Sequence, residues 1–312
     1  MKRFIIGSLF LAICQLTFAQ VNMADTSYYV LVTYNGSSAT VEMTDDIANY
    51  VTCNVNGAHV TVTSTASEAV NEITYGLTGT TTNGSFTQIG TYKATVELFG
   101  VSITNPSGPA IDLQNGKRIE ISAKKETEST LTDGTSATAD AWKGALQCKG
   151  HIQFKGKGTL NVYGNYAHGI RTGEYIEVKN CTINVKSAVK DAINCNHYFA
   201  MASGEMNLSG FGDDGIQVSI ETDDTTSSDN TGNFSMTGGT INITMGSASG
   251  EAVKAEGTQS IASVATLNII EGTKTIENTQ SDYIQSTKVI RDGRVMIVHG
   301  NKVMDILGNE IK

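Results

Sequence analysis

The stretch "GFGDDGIQV" (residues 210–218) places two aspartates, Asp213 and Asp214, side by side ahead of a glycine and an aliphatic residue. One aspartate in a turn accepts a local hydrogen bond; a second needs water, a cation or another partner. The position recurs. In "YAHGIRT" (166–172), "VKDAINC" (189–195), "GDDGIQV" (212–218) and "SGEAVKA" (249–255), the residues His168, Asp191, Asp214 and Glu251 each stand just before a small residue. If these repeats stack as strands about 4.8 Å apart, neighbouring carboxylates repel by roughly 1 kcal/mol in water and about 3.5 kcal/mol at an effective dielectric of 20. Calcium relieves such repulsion, since it takes several carboxylate and carbonyl oxygens in a flexible shell. Asp191, Asp213, Asp214 and Glu251 are therefore the candidate calcium ligands. The competing account gives the counter-charge to Lys190, Lys254 or Arg171, or lets the carboxylates splay into water.

A second set of residues suits a polyhydroxylated ligand. Two positions beyond the small residues Ala145, Gly169, Ala192 and Gly215 stand Gln147, Arg171, Asn194 and Gln217. Amides and guanidinium groups bond hydroxyls and carboxylates, and the small residues would form a shallow floor beside them. Arg171, Lys190, Asn194, Gln217 and Lys254 are the candidate ligand-binding residues. Tyr163, Tyr166, Tyr198 and Trp142 offer rings for stacking, though each taken singly is more simply a packing residue. Charge is unevenly distributed. Residues 143–190 hold eight Lys or Arg and two acids, a net of +6, whereas residues 191–251 hold nine acids and no Lys or Arg.

These residues need a scaffold that repeats. From Gly169 to Ala192 is 23 residues, and from Ala192 to Gly215 is 23 again. The motifs "GTLNV" (158–162), "CTINV" (181–185) and "GEMNL" (204–208) keep the same interval; "GTINI" (239–243) follows 35 residues on, one period plus the 12 of "ETDDTTSSDNTG" (221–232). Thr, Ile and Val alternate with polar residues at period 2, the strand signature. Three short strands per 23 residues fit one turn of a parallel β-helix; a propeller blade needs roughly 40 residues or more. The spacing predicts that Ile170, Ile193 and Ile216 stack in adjacent layers and that 221–232 loops outward from one edge.

The ends read differently. Residues 1–19 have the basic start, apolar centre and small-residue boundary of a signal peptide, which implies export to the outside or the cell surface; its loss would take the formal charge from −9 to −11. Residues 20–92 are expected to form a small β cap with a hairpin at Asn35-Gly36, residues 93–275 the β-helix, and residues 276–312 a β-like tail with turns at Asp292-Gly293 and Gly300-Asn301. The tail either caps the last layer or resembles the sorting segments of type IX secretion cargo. Cys148 and Cys195 fall two layers apart, too far for a disulfide, and the four cysteines beyond residue 19 are read as small buried hydrophobes. No nucleic-acid partner and no transmembrane segment are expected, and the chain is expected to be a monomer.

The segment "KATVELFGVSITNPSGPAIDLQNGKRIEI" (93–121), with "GTLNVYGNYAHGIRT", "VKDAINC" and "GDDGIQV", resembles the bacterial right-handed β-helix carbohydrate-binding family, whose fold is similar to that of calcium-dependent pectate lyases of family 9. The resemblance covers about residues 93–270. It implies an all-β, right-handed parallel β-helix that binds acidic, uronate-containing polysaccharide together with calcium. His168 and Gly144 stand where acidic residues are usual, which argues against a calcium site spanning those layers. Two other functions stay open: a polysaccharide lyase of the pectate type, with Lys190 or Lys254 as base, and a structural surface protein or adhesin.

Overall fold

Period-2 alternation makes every strand two-faced, and the chain resolves this by turning all the apolar faces onto one interior. The computed structural model describes residues 23, 26–135, 142–246 and 250–270, with the backbone of three strands between 287 and 304. The expected signal peptide lies outside the described residues. Within them the chain is all-β, without an α-helix, and no helix is long and apolar enough to cross a membrane.

Parallel strands wrap into a nearly closed sheet made of three ladders. The first joins Gly84–Ile89, Ile111–Gln114, Gly144–Cys148, His168–Thr172, Ile193–Asn196, Ile216–Ser219 and Val253–Ala255. The second joins Ile119–Ala123, Ile152–Gly156, Ile176–Val178, Tyr198–Met201, Asn233–Met236 and Gln259–Ile261. The third joins Glu128–Thr132, Thr159–Gly164, Thr182–Ala188, Glu205–Leu208, Thr240–Thr244 and Thr266–Ile270. The chain visits the ladders in turn and returns to each one rung further on.

The expected aliphatic column is present. Phe86, Ile111, Leu146, Ile170, Ile193, Ile216 and Val253 are successive rungs of the first ladder, all fully buried. Each contributes about 1.5–3 kcal/mol by leaving water, and each covers its neighbours, so that no layer is stable alone. Cys148, Cys181 and Cys195 are buried among them, and burial pushes their thiols up to about 12.

The ends of the stack differ from the expected division at residue 93. Parallel rungs run on across that point: Ala58–Ser64 pairs with Gly84–Ile89, and Tyr29–Asn35 pairs with Ile73–Thr81. Only the outermost strands are antiparallel. Tyr29–Asn35 pairs with Ser38–Met43 across the expected turn, where Gly36 has φ +64°, and Val51–Asn56 pairs with Ala58–Ser64. At the other end Thr287–Arg291 adds in parallel to Thr266–Ile270, and Arg294–His299 and Lys302–Met304 follow as an antiparallel meander. The turns at 292–293 and 300–301 lie outside the described residues. Antiparallel strands thus cover the start of the first ladder and the end of the third, where an open parallel edge would invite pairing with another chain.

Candidate functional site

Asp191, Asp213 and Asp214 meet at the entrance to the first ladder, each offering a carboxylate oxygen within 4.8 Å of the others. The 23-residue repeat places Asp191 one layer above Asp214. Both are 1% exposed, while Asp213 is exposed. Asp191 is well supplied with donors: its Oδ1 accepts the Asp214 N–H at 3.1 Å, and its Oδ2 accepts the Asn194 amide at 2.6 Å. Nδ1 of His168 lies 3.2 Å from that same Oδ2 and 3.3 Å from the Asp191 backbone nitrogen. A neutral Nδ1 accepts the backbone N–H, whereas a protonated one donates to the carboxylate; it cannot do both. Burial alone would raise the Asp191 carboxyl, but hydrogen bonds from His168, Asn194 and the Asp214 backbone, with the His168 charge, hold it below the usual range.

Asp214 is less completely satisfied. Its Oδ1 accepts the Glu251 N–H at 2.7 Å. Its Oδ2 is buried and makes no hydrogen bond of acceptable geometry, although Nζ of Lys254 stands 3.2 Å away as an ion pair. We read this contact as charge compensation without good alignment. Its main effect on Lys254 is to raise that ammonium, through Asp214 first and against some desolvation. Asp213 is raised by partial desolvation and then by the charges of Asp214 and Asp191.

Of the four expected metal ligands, three converge. Glu251 enters the cluster through its backbone N–H, and its carboxylate is not among the grouped oxygens. Three aspartates with one buried, poorly bonded oxygen suit a hard cation that favours oxygen. The obstacle is Lys254, whose ammonium already occupies the space beside Oδ2.

The outward row beside the aliphatic column is longer than the sequence showed. Asp112, Gln147, Arg171, Asn194, Gln217 and Lys254 are consecutive rungs. Gln147 donates to Asp112 at 2.9 Å, and Asn194 donates to Gln217 at 3.1 Å. Arg171 sits in the middle. One Nη2 contact reaches Asn196 Oδ1 at 3.4 Å, and Asn196 in turn donates to Glu221; Nη1 is buried and has no acceptor among the described residues. Desolvation lowers the Arg171 guanidinium from its ordinary value, against the opposing charges of Cys195, Glu221 and Asp191. Lys190 is exposed beside Asp191.

One expectation needs correction. The small residues Ala110, Ala145, Gly169, Ala192, Gly215 and Ala252 do not form an outward floor; all are buried. They are small because the layers close on them: a Cβ at Gly169 would lie 2.6 Å from Val185 Cγ1, and one at Gly215 would lie 2.5 Å from the Ala252 carbonyl oxygen. Trp142 is 4% exposed, packs on Tyr166 and donates its indole N–H to Asp133 at 3.0 Å, so it belongs to the packing. Sequence reasoning missed a ring stack on the second ladder: His151 on Tyr175 at 4.0 Å and Tyr175 on Tyr198 at 4.4 Å between centroids. Each ring lies within the loop or strand start at one interval of the repeat, a signal visible in 151, 175 and 198.

A family model described as "Carbohydrate-binding domain-containing protein" matches residues 56–306. The structure is similar to that of a polysaccharide lyase-like protein from C. thermocellum, solved as a gadolinium derivative, with a TM-score of 0.61 and 20% sequence identity over 77% of this chain and 99% of that one. At that identity the likeness concerns the fold. No protein with a curated functional description matches the chain.

Proposed function

From the premise that the chain belongs to this carbohydrate-binding domain family, we propose that it is an exported, non-catalytic binding protein for acidic, uronate-containing polysaccharide. In this reading its parallel stack is a right-handed β-helix akin to the family 9 pectate lyases, and the polymer lies along the row from Gln147 to Lys254. The observation that carries the proposal is Arg171 Nη1. An unpaired guanidinium N–H costs free energy that a bound carboxylate would recover once the side chain turns outward from its weak 3.4 Å contact with Asn196, because the fork of Arg matches a carboxylate with two parallel bonds. Asn194 and Gln217, on the adjoining rungs, supply amides for hydroxyls, and exposed Lys190 adds positive charge.

Calcium belongs to the same proposal. Asp191, Asp213 and Asp214 would hold it, with carbonyl oxygens and water completing the shell; it would supply a fixed positive charge beside the row and relieve carboxylate repulsion. The lyase alternative needs a lysine able to take a proton. Lys254 is poorly suited, since its pairing with Asp214 favours the protonated form.

Isothermal titration with oligogalacturonate, alginate and neutral oligosaccharides, with calcium and with chelator, tests this reading. Uronate binding is expected in calcium, with a loss of about tenfold or more in Arg171→Ala, the scale of a charge-assisted hydrogen bond. Absence of uronate binding, or full affinity in Arg171→Ala, would sink the uronate assignment; indifference to chelator would sink the metal.

A further inference from the structure

The ring stack on the second ladder stops at Tyr198. Tyr175 covers one face of that ring at an interplanar angle of 8°. On the other side the next rung is Asn233, directly opposite Tyr198, and Thr258 follows one layer on, beside the Phe234–Gln259 rung. Neither is a ring. Where the stack would continue there is an open cleft of about 300 Å³, lined by Tyr198, Asn233 and Thr258 on the ladder and by Ser228, Asp229 and Thr231 from the insertion. That volume falls at the small end of ligand sites.

The cleft is built by firmly placed parts. Tyr198 is held by its stack on Tyr175 and also donates its hydroxyl to Glu177 at 3.1 Å. The insertion is pinned to itself and to the body: the Asn230 amide donates to the Glu221 and Asp224 carbonyls at 2.7 and 2.6 Å, and His197 Nε2 lies 3.3 Å from Asp224 Oδ2. The Gly232 N–H closes on the His197 carbonyl at 2.6 Å. Asn233 Oδ1 accepts from the Thr258 N–H and hydroxyl, and its NH2 group has no acceptor among the described residues. Asp229 is exposed, and its carboxylate makes no hydrogen bond or ion pair among the described residues.

We propose that this cleft is a second carbohydrate subsite, one that takes a neutral pyranose whose apolar face continues the His151–Tyr175–Tyr198 stack. A sugar ring offers C–H bonds to an aromatic face and hydroxyls at its rim. The Asp229 carboxylate accepts from paired hydroxyls, and the Asn233 amide and Thr258 hydroxyl supply complementary partners. The same carboxylate repels a uronate, so the cleft and the Arg171 row select differently charged residues. The inference rests on the carbohydrate-binding reading but not on its uronate assignment.

The test is titration of the intact protein with neutral hexasaccharides of β-glucan, β-mannan and β-galactan, and with hexagalacturonate. Wild type should bind at least one neutral oligomer. Tyr198→Ala should weaken that binding roughly tenfold, on the scale of an aromatic contact plus its buried area, while Tyr198→Phe keeps it. Asp229→Ala, on an exposed loop that leaves the stack untouched, should also weaken it and leave hexagalacturonate binding intact. Loss of hexagalacturonate binding alone in wild type would remove the uronate assignment and leave the subsite standing. No binding of any neutral oligomer, or wild-type affinity in folded Tyr198→Ala and Asp229→Ala, overturns the subsite.

Discussion

Asp214 is held by two partners of different kinds: the Glu251 N–H at 2.7 Å on one oxygen and the Lys254 ammonium at 3.2 Å from the other. The second oxygen is buried without a well-aligned donor, so the site is charge-compensated but not fully bonded. Lys254 and a cation would compete for that oxygen. Lys254→Gln is therefore expected to act in opposite directions. The chelated protein should melt at lower temperature, because the buried carboxylate loses its counter-charge. Calcium should bind at least about tenfold more tightly, because a unit positive charge beside the ion has gone. Differential scanning calorimetry with and without chelator, and calcium titration, read the two effects. A variant with unchanged calcium affinity would show that the three aspartates do not hold the ion. The raised Lys254 also fixes the pH sense: the ion pair contributes stability in full below the ordinary lysine value and loses it only as pH rises through the higher folded one, so it is intact at neutral pH.

Each ladder repeats a side chain, and that repetition has its own energetics. On the third ladder Asn184 donates to Asn161 at 2.8 Å, Asn207 to Asn184 at 2.9 Å, Asn242 to Asn207 at 2.7 Å and Asn268 to Asn242 at 2.7 Å. These amides are committed to one another, which makes them a brace between layers. Asn207→Ala removes one donor and one acceptor from the middle and should cost roughly 1–2 kcal/mol, measured as a lower denaturant midpoint; no shift would show that the stripe does not brace the layers. The interval of 23 residues made this stripe, the Ile170–Ile193–Ile216 column and the Asp191–Asp214 pair legible in the sequence, because parallel layers in register convert equal spacing into contact. What spacing could not show was direction and depth. The small column looked like a floor, yet Gly169 and Gly215 face into closely packed layers. Glu251 shares the carboxylate column, yet it meets the cluster through its backbone N–H and not through its carboxylate. The ring stack escaped notice because His151 and Tyr175 precede their strands, outside the alternating pattern. The proposed cap boundary at 93 rested on the loss of the 23-residue interval, while the ladders tolerate longer intervals, such as the 25 residues from Phe86 to Ile111.

At the scale of the whole molecule, the insertion 221–232 is a wall added to an otherwise regular stack. In the layer above, Asn196 is followed by His197 and then Tyr198. Ser219, opposite Asn196, is followed by Ile220, the insertion, and then Asn233, opposite Tyr198. Deleting 221–232 leaves one residue between the two strands in both layers; His197 makes that link at φ +63°, so with Ile220→Gly, which takes a left-handed φ readily, the register closes and the deletion variant should fold. It should melt somewhat lower, since His197 is buried and loses Asp224 and the Gly232 N–H. The segment carries Glu221, Asp223, Asp224 and Asp229 and no basic residue, so the formal charge changes from −9 to −9 + 4 = −5. Glu221 lies two hydrogen bonds from Arg171, through Asn196, and opposes a bound anion most; the other three charges, at a distance on the order of 20 Å, each oppose it by about 0.2 kcal/mol in water, roughly threefold in affinity together before salt screens them. The deletion variant is therefore expected to bind hexagalacturonate more tightly than wild type at low ionic strength, with the advantage fading as salt is added, and to lose its affinity for neutral hexasaccharides. Titrations of both ligands at low and high salt measure this. A deletion variant that keeps neutral binding would place that ligand elsewhere, and one whose uronate affinity is unchanged at low salt would show that the acidic insertion does not face the bound polymer.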